Sequence, residues 1–264
     1  MLHRLSKQGL ICITQPNHAW LAGQIAQVWG NENFGQFLPR KEVCLCAEQH
    51  DIGWLLWEKA PTLNPQTGYP HNFTELSTQA HINIWLNAKQ FALLLGRYVA
   101  LLVSLHGTGL YERFTSWQNS PISTQIVQDF LKQEYAFQKQ LIAVLQKDEY
   151  YATYVTPEVI ERNRKLVATW DALSIIFCQG FTSKQQVLQQ VPTINSESTL
   201  RLTLLEDQDN HQQVAVTPWP FQQDEVKLVY EGQLLQHAFN DEKAMREALM
   251  DDCWVTLSTT LKPE

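Results

Sequence analysis

Apolar residues along this chain follow two different periods. Residues 9–14, GLICIT, are β-branched and apolar over a run too short for a helix, and predict a strand. Pro16-Asn17 then offers a helix start, with Asn17 as N-cap, a helix from His18 to Trp29 and Gly30 as its stop. A second helix is predicted from about Lys41 through His50-Asp51 to Glu58. Residues 60–77 hold three prolines and one glycine and predict a long loop of the kind that often acts as a lid. Helical spacing resumes at 78–95, 97–106, 122–147 and 157–179. After about residue 190 the period changes. TLRLTLL and QQVAVTP read as strands around the turn EDQDNH, and EVKLVYEGQLLQ as one strand or a hairpin about Glu231-Gly232. DEKAMREALMDD reads as a short helix and CWVTLSTTL as a last strand. The expectation is a mainly α body over 1–190 and a smaller β-rich part over 191–264 packed on it.

On the predicted helices, positions i, i±3, i±4 and i±7 share a face. His18 falls with Leu21, Ala22, Ile25 and Trp29. His50 falls with Val43, Cys46, Ala47 and Trp54, and Asp51 lies one step off that face. His81 lies with Ile84, Trp85 and Ala88, His106 with Val99, Leu102 and Val103, and Asp171 with Val167, Ala168, Ile175 and Cys178. Five apolar stripes thus each carry a His or Asp inward. A single inward histidine is ordinarily a hydrogen-bonded core residue, and several separate His–Asp pairs would give the same pattern. A buried ionised aspartate, however, is costly unless it is paired or bound to metal. His3, His211 and His237 read as surface residues.

Composition narrows the classes. The chain has 264 residues, 44% hydrophobic and 18% charged, with nine Trp and eleven Phe, which suits an aromatic-rich core rather than a disordered chain. A net charge of −7 weighs against a nucleic-acid partner. It leaves small anionic substrates open, because a metal supplies local positive charge. The five cysteines contain no CxxC pair, and Cys44-x-Cys46 lacks a second pair at finger spacing. Free thiols fit a cytoplasmic protein. The longest apolar stretch, FALLLGRYVALLVSL, carries Arg97 and falls short of the roughly 20 residues that span a bilayer.

In chain order the candidates are His18, His50-Asp51, His81, His106 and Asp171. This order resembles the HD-domain superfamily of metal-dependent phosphohydrolases, a helical fold. The segments ITQPNHAWLAGQIAQVWGN, AEQHDIGWLLWE, YVALLVSLHGTGLYERF and WDALSIIFC are similar, over nearly the whole chain, to an uncharacterised bacterial family of unknown function. The HD resemblance implies an HD-like helical bundle. It implies that His18, His50, Asp51 and Asp171 hold a first metal ion, and that Asp51 bridges to a second held by His81 and His106. Imidazole and carboxylate ligands suit divalent Fe, Mn, Co, Ni or Zn. Two ions activate a shared water and clamp a phosphoryl oxygen. Gln49, Ser174 and Glu48 are candidates to orient the ligands.

The chain departs from the HD pattern at one point. Where many such hydrolases have Ile-Gly-Lys after the His-Asp pair, this one has Ile52-Gly53-Trp54, and tryptophan cannot neutralise a phosphate. Trp54 instead suits a pocket wall or a stacking surface, although the run Trp54-Leu55-Leu56-Trp57 also reads as core. Lys41, Arg97 and Arg113 are other cations, with nothing in the sequence to aim them at the site. In TGYPHNF, Gly68 can act as a hinge and Tyr69 and His71 can reach a substrate. Gly107-Thr108-Gly109 reads as a helix end where backbone approaches a ligand, with Gly107 beside it. The expected function is hydrolysis of a small phosphorylated molecule or nucleotide, with His50 and Asp51 at the catalytic centre. The expected partners are that small molecule and, through the β-rich part, a second copy in a homodimer. An HD-type di-iron oxygenase and a non-catalytic binding module are the alternatives.

Overall fold

The computed structural model describes residues 1–208, 210–251 and 253–264. Asp209, in the predicted turn, and Asp252, at the end of the last predicted helix, lie outside the described residues. The fold is mixed α/β, 51% helix and 24% strand, and the expectation of a mainly α protein is corrected accordingly. The sheet is larger than the sequence pattern indicated because the segments Leu2–Ser6 and Gln185–Pro192 were not legible as strands. Strands β1 (Leu2–Ser6) and β2 (Gly9–Ile13) form an N-terminal hairpin, and β2 pairs with a strand more than 200 residues further on.

Helix α1 (Gln15–Val28) begins earlier than predicted. Thr14 is its N-cap, accepting from the Asn17 amide at 3.3 Å, and Pro16 fits the first turn, where no amide proton is needed. Asn17 is therefore inside the helix, and its Oδ1 accepts the Glu231 amide at 2.9 Å. The predicted second helix is broken. Helix α2 (Arg40–Gln49) stops at His50, Asp51 takes φ −101° and ψ 19°, and a tight turn over Ile52–Trp54 leads to the single turn α3 (Leu55–Glu58).

The loop over 60–77 contains a two-stranded hairpin, β3 (Leu63–Asn64) with β4 (Tyr69–Pro70). Helices α4 (Thr78–Leu95), α5 (Arg97–Arg113), α6 (Pro121–Leu145) and α7 (Pro157–Gln179) follow. Ser77, Ser120 and Thr156 cap α4, α6 and α7 through their hydroxyls. Gly107-Thr108-Gly109 does not end a helix, for α5 runs on to Arg113. A Cβ on Gly107 would stand 2.8 Å from the Trp85 ring, so the glycine lets α4 pack close to α5.

Strands β5 (Gln185–Pro192), β6 (Glu197–Gln208), β7 (His211–Thr217), β8 (Val226–Leu235) and β9 (Trp254–Pro263) complete the sheet, with helix α8 (Glu242–Met250) before the last strand. EVKLVYEGQLLQ is thus one strand. The sheet has the order β1-β2-β8-β9-β7-β6-β5 and forms a curled half-barrel, antiparallel except between β7 and β9. The boundary expected near residue 190 falls inside β5. One apolar cluster takes in both layers, including Leu21 and Ile25 of α1, Leu166 and Phe177 of α7, and Val214, Tyr230 and Leu257 of the sheet. Each such fully buried aliphatic side chain contributes roughly 1.5–3 kcal/mol. Trp29 packs edge-on against Phe34, Trp170 and Phe221, joining α1, α7 and the sheet side. Among the described residues, no helix is long and apolar enough to cross a membrane.

Candidate metal centre

Four helical segments aim polar side chains at one buried point. His18 comes from α1, His50 and Asp51 from the break after α2, His106 from α5 and Asp171 from α7, and all five are buried. The break explains how adjacent residues both reach it. On a continuous helix His50 and Asp51 would diverge by about 100°. The turn at Asp51 returns its carboxylate towards the His50 ring, with Asp51 Oδ2 3.7 Å from His50 Nε2. Gly53 permits this turn to press on α4, since a Cβ there would meet the Ile84 carbonyl oxygen at 2.2 Å.

His18 Nε2 lies 2.8 Å from Asp51 Oδ2 and 3.8 Å from Asp171 Oδ1. His50 Nε2 lies 3.4 Å from Asp171 Oδ1, and His106 Nε2 3.6 Å from Asp171 Oδ2. His18–His50 and His50–His106 are edge-on ring pairs, 5.0 and 4.8 Å between centroids. Two overlapping buried triads result, His18/His50/Asp51 and His50/His106/Asp171, each with its ligand atoms within 4.8 Å of one another. Each triad can hold a metal ion.

The hydrogen bonds fix which nitrogens are offered. Ser174 Oγ donates to the Asp171 carbonyl at 2.8 Å, so it accepts from His18 Nδ1 at 2.8 Å. His50 Nδ1 donates to the Ala47 carbonyl at 2.8 Å. Both rings therefore present an unprotonated Nε2 when neutral, aimed at carboxylate oxygens that also only accept. His50 Nε2 is buried with no hydrogen-bond partner. Acceptors facing acceptors need a cation between them. A proton serves in part; a divalent ion satisfies the whole set, and tying Nδ1 to a protein group is how metal-bound imidazoles are oriented. The residues fit a first-row divalent transition metal held by nitrogen and oxygen.

The electrostatics carry the same imprint. Burial alone pulls His50 down, but the Asp51 charge and the Asp171 carboxylate 3.4 Å from Nε2 outweigh it and raise the group to about 9. Burial pushes Asp51 up, yet His50 and His18 bring it below the usual carboxylate range. Asp171 is likewise pushed up by burial and held well below that range by His50, His106 and His18. Burial dominates at His106 and takes it down to about 4 despite Asp171.

Other candidates are placed elsewhere. His81 stands outside both triads, with Nε2 2.6 Å from the Phe73 carbonyl and its ring against Trp54. Trp54 is 3% exposed and packs edge-on against Trp57 and His81, as core. Tyr69 packs on the small cluster of Met1, Leu10 and Met245. His71 Nδ1 is 2.9 Å from Thr62 Oγ1. Gly107 lies under Trp85. Of the proposed orienting residues, Ser174 touches a ligand imidazole. Glu48 packs on Gly23.

A cavity of about 430 Å³ has one residue of the centre, His106, in its wall. Arg113, Arg164 and Lys165 also line it, beside Thr169, Gln189 and Gln190. These residues were not singled out as a set from the sequence. A signal existed: Arg113 is i+7 from His106 on α5, and Arg164 and Ala168 are i−7 and i−3 from Asp171 on α7.

Residues 1–237 match the family described as Protein of unknown function (DUF3891), and the chain belongs to that family. Comparison with curated proteins finds no match. Comparison with solved structures finds none either.

Proposed function

We propose that this protein is a metal-dependent hydrolase of small phosphorylated molecules with an HD-type centre. The likeness to HD-domain hydrolases rests on the order of the His and Asp residues along the chain alone. The observation that carries it is the convergence of His18 and His50 Nε2 with Asp51 and Asp171, both rings tied at Nδ1. These four residues would hold one ion, and His106 extends the set through Asp171. The ion would activate a bound water and polarise a phosphoryl oxygen. The protein's own groups do the rest. Ser174 and the Ala47 carbonyl orient the imidazoles. Burial keeps bulk water from the ligand atoms. Arg113, Arg164 and Lys165 line the adjoining cavity together with Glu112, and although Arg164 and Lys165 are paired with carboxylates, Arg113 leaves a positive charge there for an anionic substrate where the HD pattern would have had its lysine. That lining favours phosphoester hydrolysis over oxygenation of a neutral substrate.

The test is elemental analysis of the purified protein and of Asp51→Ala, alongside hydrolysis of p-nitrophenyl phosphate and its bis ester with Mn, Co, Ni, Zn or Fe, with and without oxygen. The expected result is about one transition metal per chain, lost in the folded variant together with an oxygen-independent hydrolysis. Metal that stays in the folded variant, or a wild type that takes up none, overturns the reading.

A further inference from the structure

The cavity beside His106 is not built by helices alone. Leu188, Gln189 and Gln190 of β5 close part of it. In the β5–β6 ladder Leu188 faces Leu200 and Val191 faces Ser198, so Gln189 and Gln190 together oppose Thr199. Two residues against one make a β-bulge, a device that re-aims side chains. Gln190 takes φ 59°, a left-handed conformation ordinarily left to glycine or asparagine, and is the one non-glycine residue so placed among the described residues. Its neighbour is anchored, for Gln189 Oε1 accepts from Thr199 Oγ1 at 2.7 Å. Both glutamines are exposed, so core packing does not account for the strain. A strained bulge in the wall of a cavity that also contains His106 is suited to recognition.

The cations of the same cavity are not equivalent. Arg164 is paired with Glu112 and Glu161, and Lys165 with Glu161 and Glu197. Among the described residues Arg113 has no carboxylate within ion-pair distance; its guanidinium lies 5.9 Å from the centroid of the Phe114 ring.

We propose that Arg113 and the Gln189–Gln190 bulge form an oxyanion subsite in this cavity, selecting a compact phosphate-like group. Arg113 supplies the balancing charge and the glutamine amides donate hydrogen bonds to the anion's oxygens. The sheet, which offers the metal no ligand, thereby contributes specificity. The volume of about 430 Å³ suits a small molecule. Its role as a substrate site rests on the hydrolase reading above; its affinity for an oxyanion does not.

The experiment is calorimetric titration of inorganic phosphate into the full chain, metal-loaded and chelator-treated. The variants are Arg113→Gln and Gln190→Gly, with Lys243→Ala on α8 as a control. Arg113→Gln is expected to weaken phosphate binding about tenfold or more, and Gln190→Gly about threefold or more, in both metal states. Metal content stays unchanged, and Lys243→Ala binds as the parent does. Gln190→Gly removes the strain as well as the side chain, so its thermal midpoint should hold or rise while binding falls. Unchanged affinity in both variants overturns the subsite. So does phosphate that binds only to metal-loaded protein, which would place the anion on the ion. If phosphate binding depends on Arg113 but the chain takes up no metal, the hydrolase reading fails and the subsite stands.

Discussion

Ser174 Oγ lies 2.8 Å from His18 Nδ1, joining residues 156 positions apart, and its own proton is already given to the Asp171 carbonyl at 2.8 Å. The serine thus dictates the tautomer of His18 and leaves Nε2 bare towards Asp51. Ser174→Ala removes the acceptor for a buried Nδ1 proton without touching any ligand atom. Metal affinity is expected to fall about 10–100-fold, as for other outer groups that orient ligating imidazoles. Competition against a coloured chelator measures this. An unchanged affinity in a folded variant would mean that His18 needs no orienting partner.

The centre also sets how the metal-free protein answers pH. His50 is raised from 6.5 to about 9, because Asp51 and Asp171 overcome the opposing effect of burial. A base held more tightly in the fold stabilises it fully below its ordinary value, and the stabilisation fades as pH climbs towards 9. The magnitude is on the order of 3 kcal/mol for a shift of this size. His106 works the other way. Burial lowers it to about 4, so its neutral form is favoured and stability drains as pH falls from 6.5 towards 4. Asp51 and Asp171 are lowered and add to the loss only in stronger acid. The thermal midpoint of metal-free protein should therefore peak near pH 6.5 and decline on the alkaline side. Metal displaces the His50 proton, which should flatten that alkaline limb and release about one proton per ion near pH 7. Midpoints across pH with and without metal, and proton release into an indicator dye, check both parts. A midpoint that climbs between pH 7 and 9 without metal would contradict the charge state assigned to His50.

His18, His50, Asp51, His106 and Asp171 were legible as a set because helix periodicity is local and ligands must point inward from apolar stripes. The same criterion also selected His81, whose neighbours Ile84, Trp85 and Ala88 form an equally apolar face. Its fate was decided by a tertiary contact, the Phe73 carbonyl in the loop before α4, which no periodicity encodes. Trp54, readable from the sequence as pocket wall or as core, is buried against Trp57 and His81 for a related reason. An aromatic after a His-Asp pair reads the same whether it lines a pocket or fills the core, and here the turn at Gly53 carries it inward. Strand β1 was invisible because LHRLS places the buried Arg4 where an apolar residue would mark a strand, and the group that accepts from it, Tyr230 at 3.1 Å, lies 226 positions away. Strand β5 was missed because its glutamine-rich run exposes most of one edge and alternates weakly. The cavity's Arg164, Lys165 and Gln190 resemble a solvated face until α5, α7 and β5 are placed together.

The position of His81 bears on how many ions the centre takes. The HD resemblance gives His81 to a second ion, whereas its Nε2 is 2.6 Å from a backbone carbonyl and its ring packs edge-on to Trp54 at 5.3 Å. A histidine so used ties the loop before α4 to that helix through Nε2. His81→Ala should leave the Phe73 carbonyl short of a donor and lower stability by about 1–3 kcal/mol, while metal content per chain stays at the parental value. His106→Ala, by contrast, opens the second triad and should weaken metal retention against chelator. Elemental analysis beside thermal unfolding separates the two. If folded His81→Ala loses an ion that His106→Ala also loses, then the ring leaves Phe73 to ligate, and the centre is dinuclear with His81 in it.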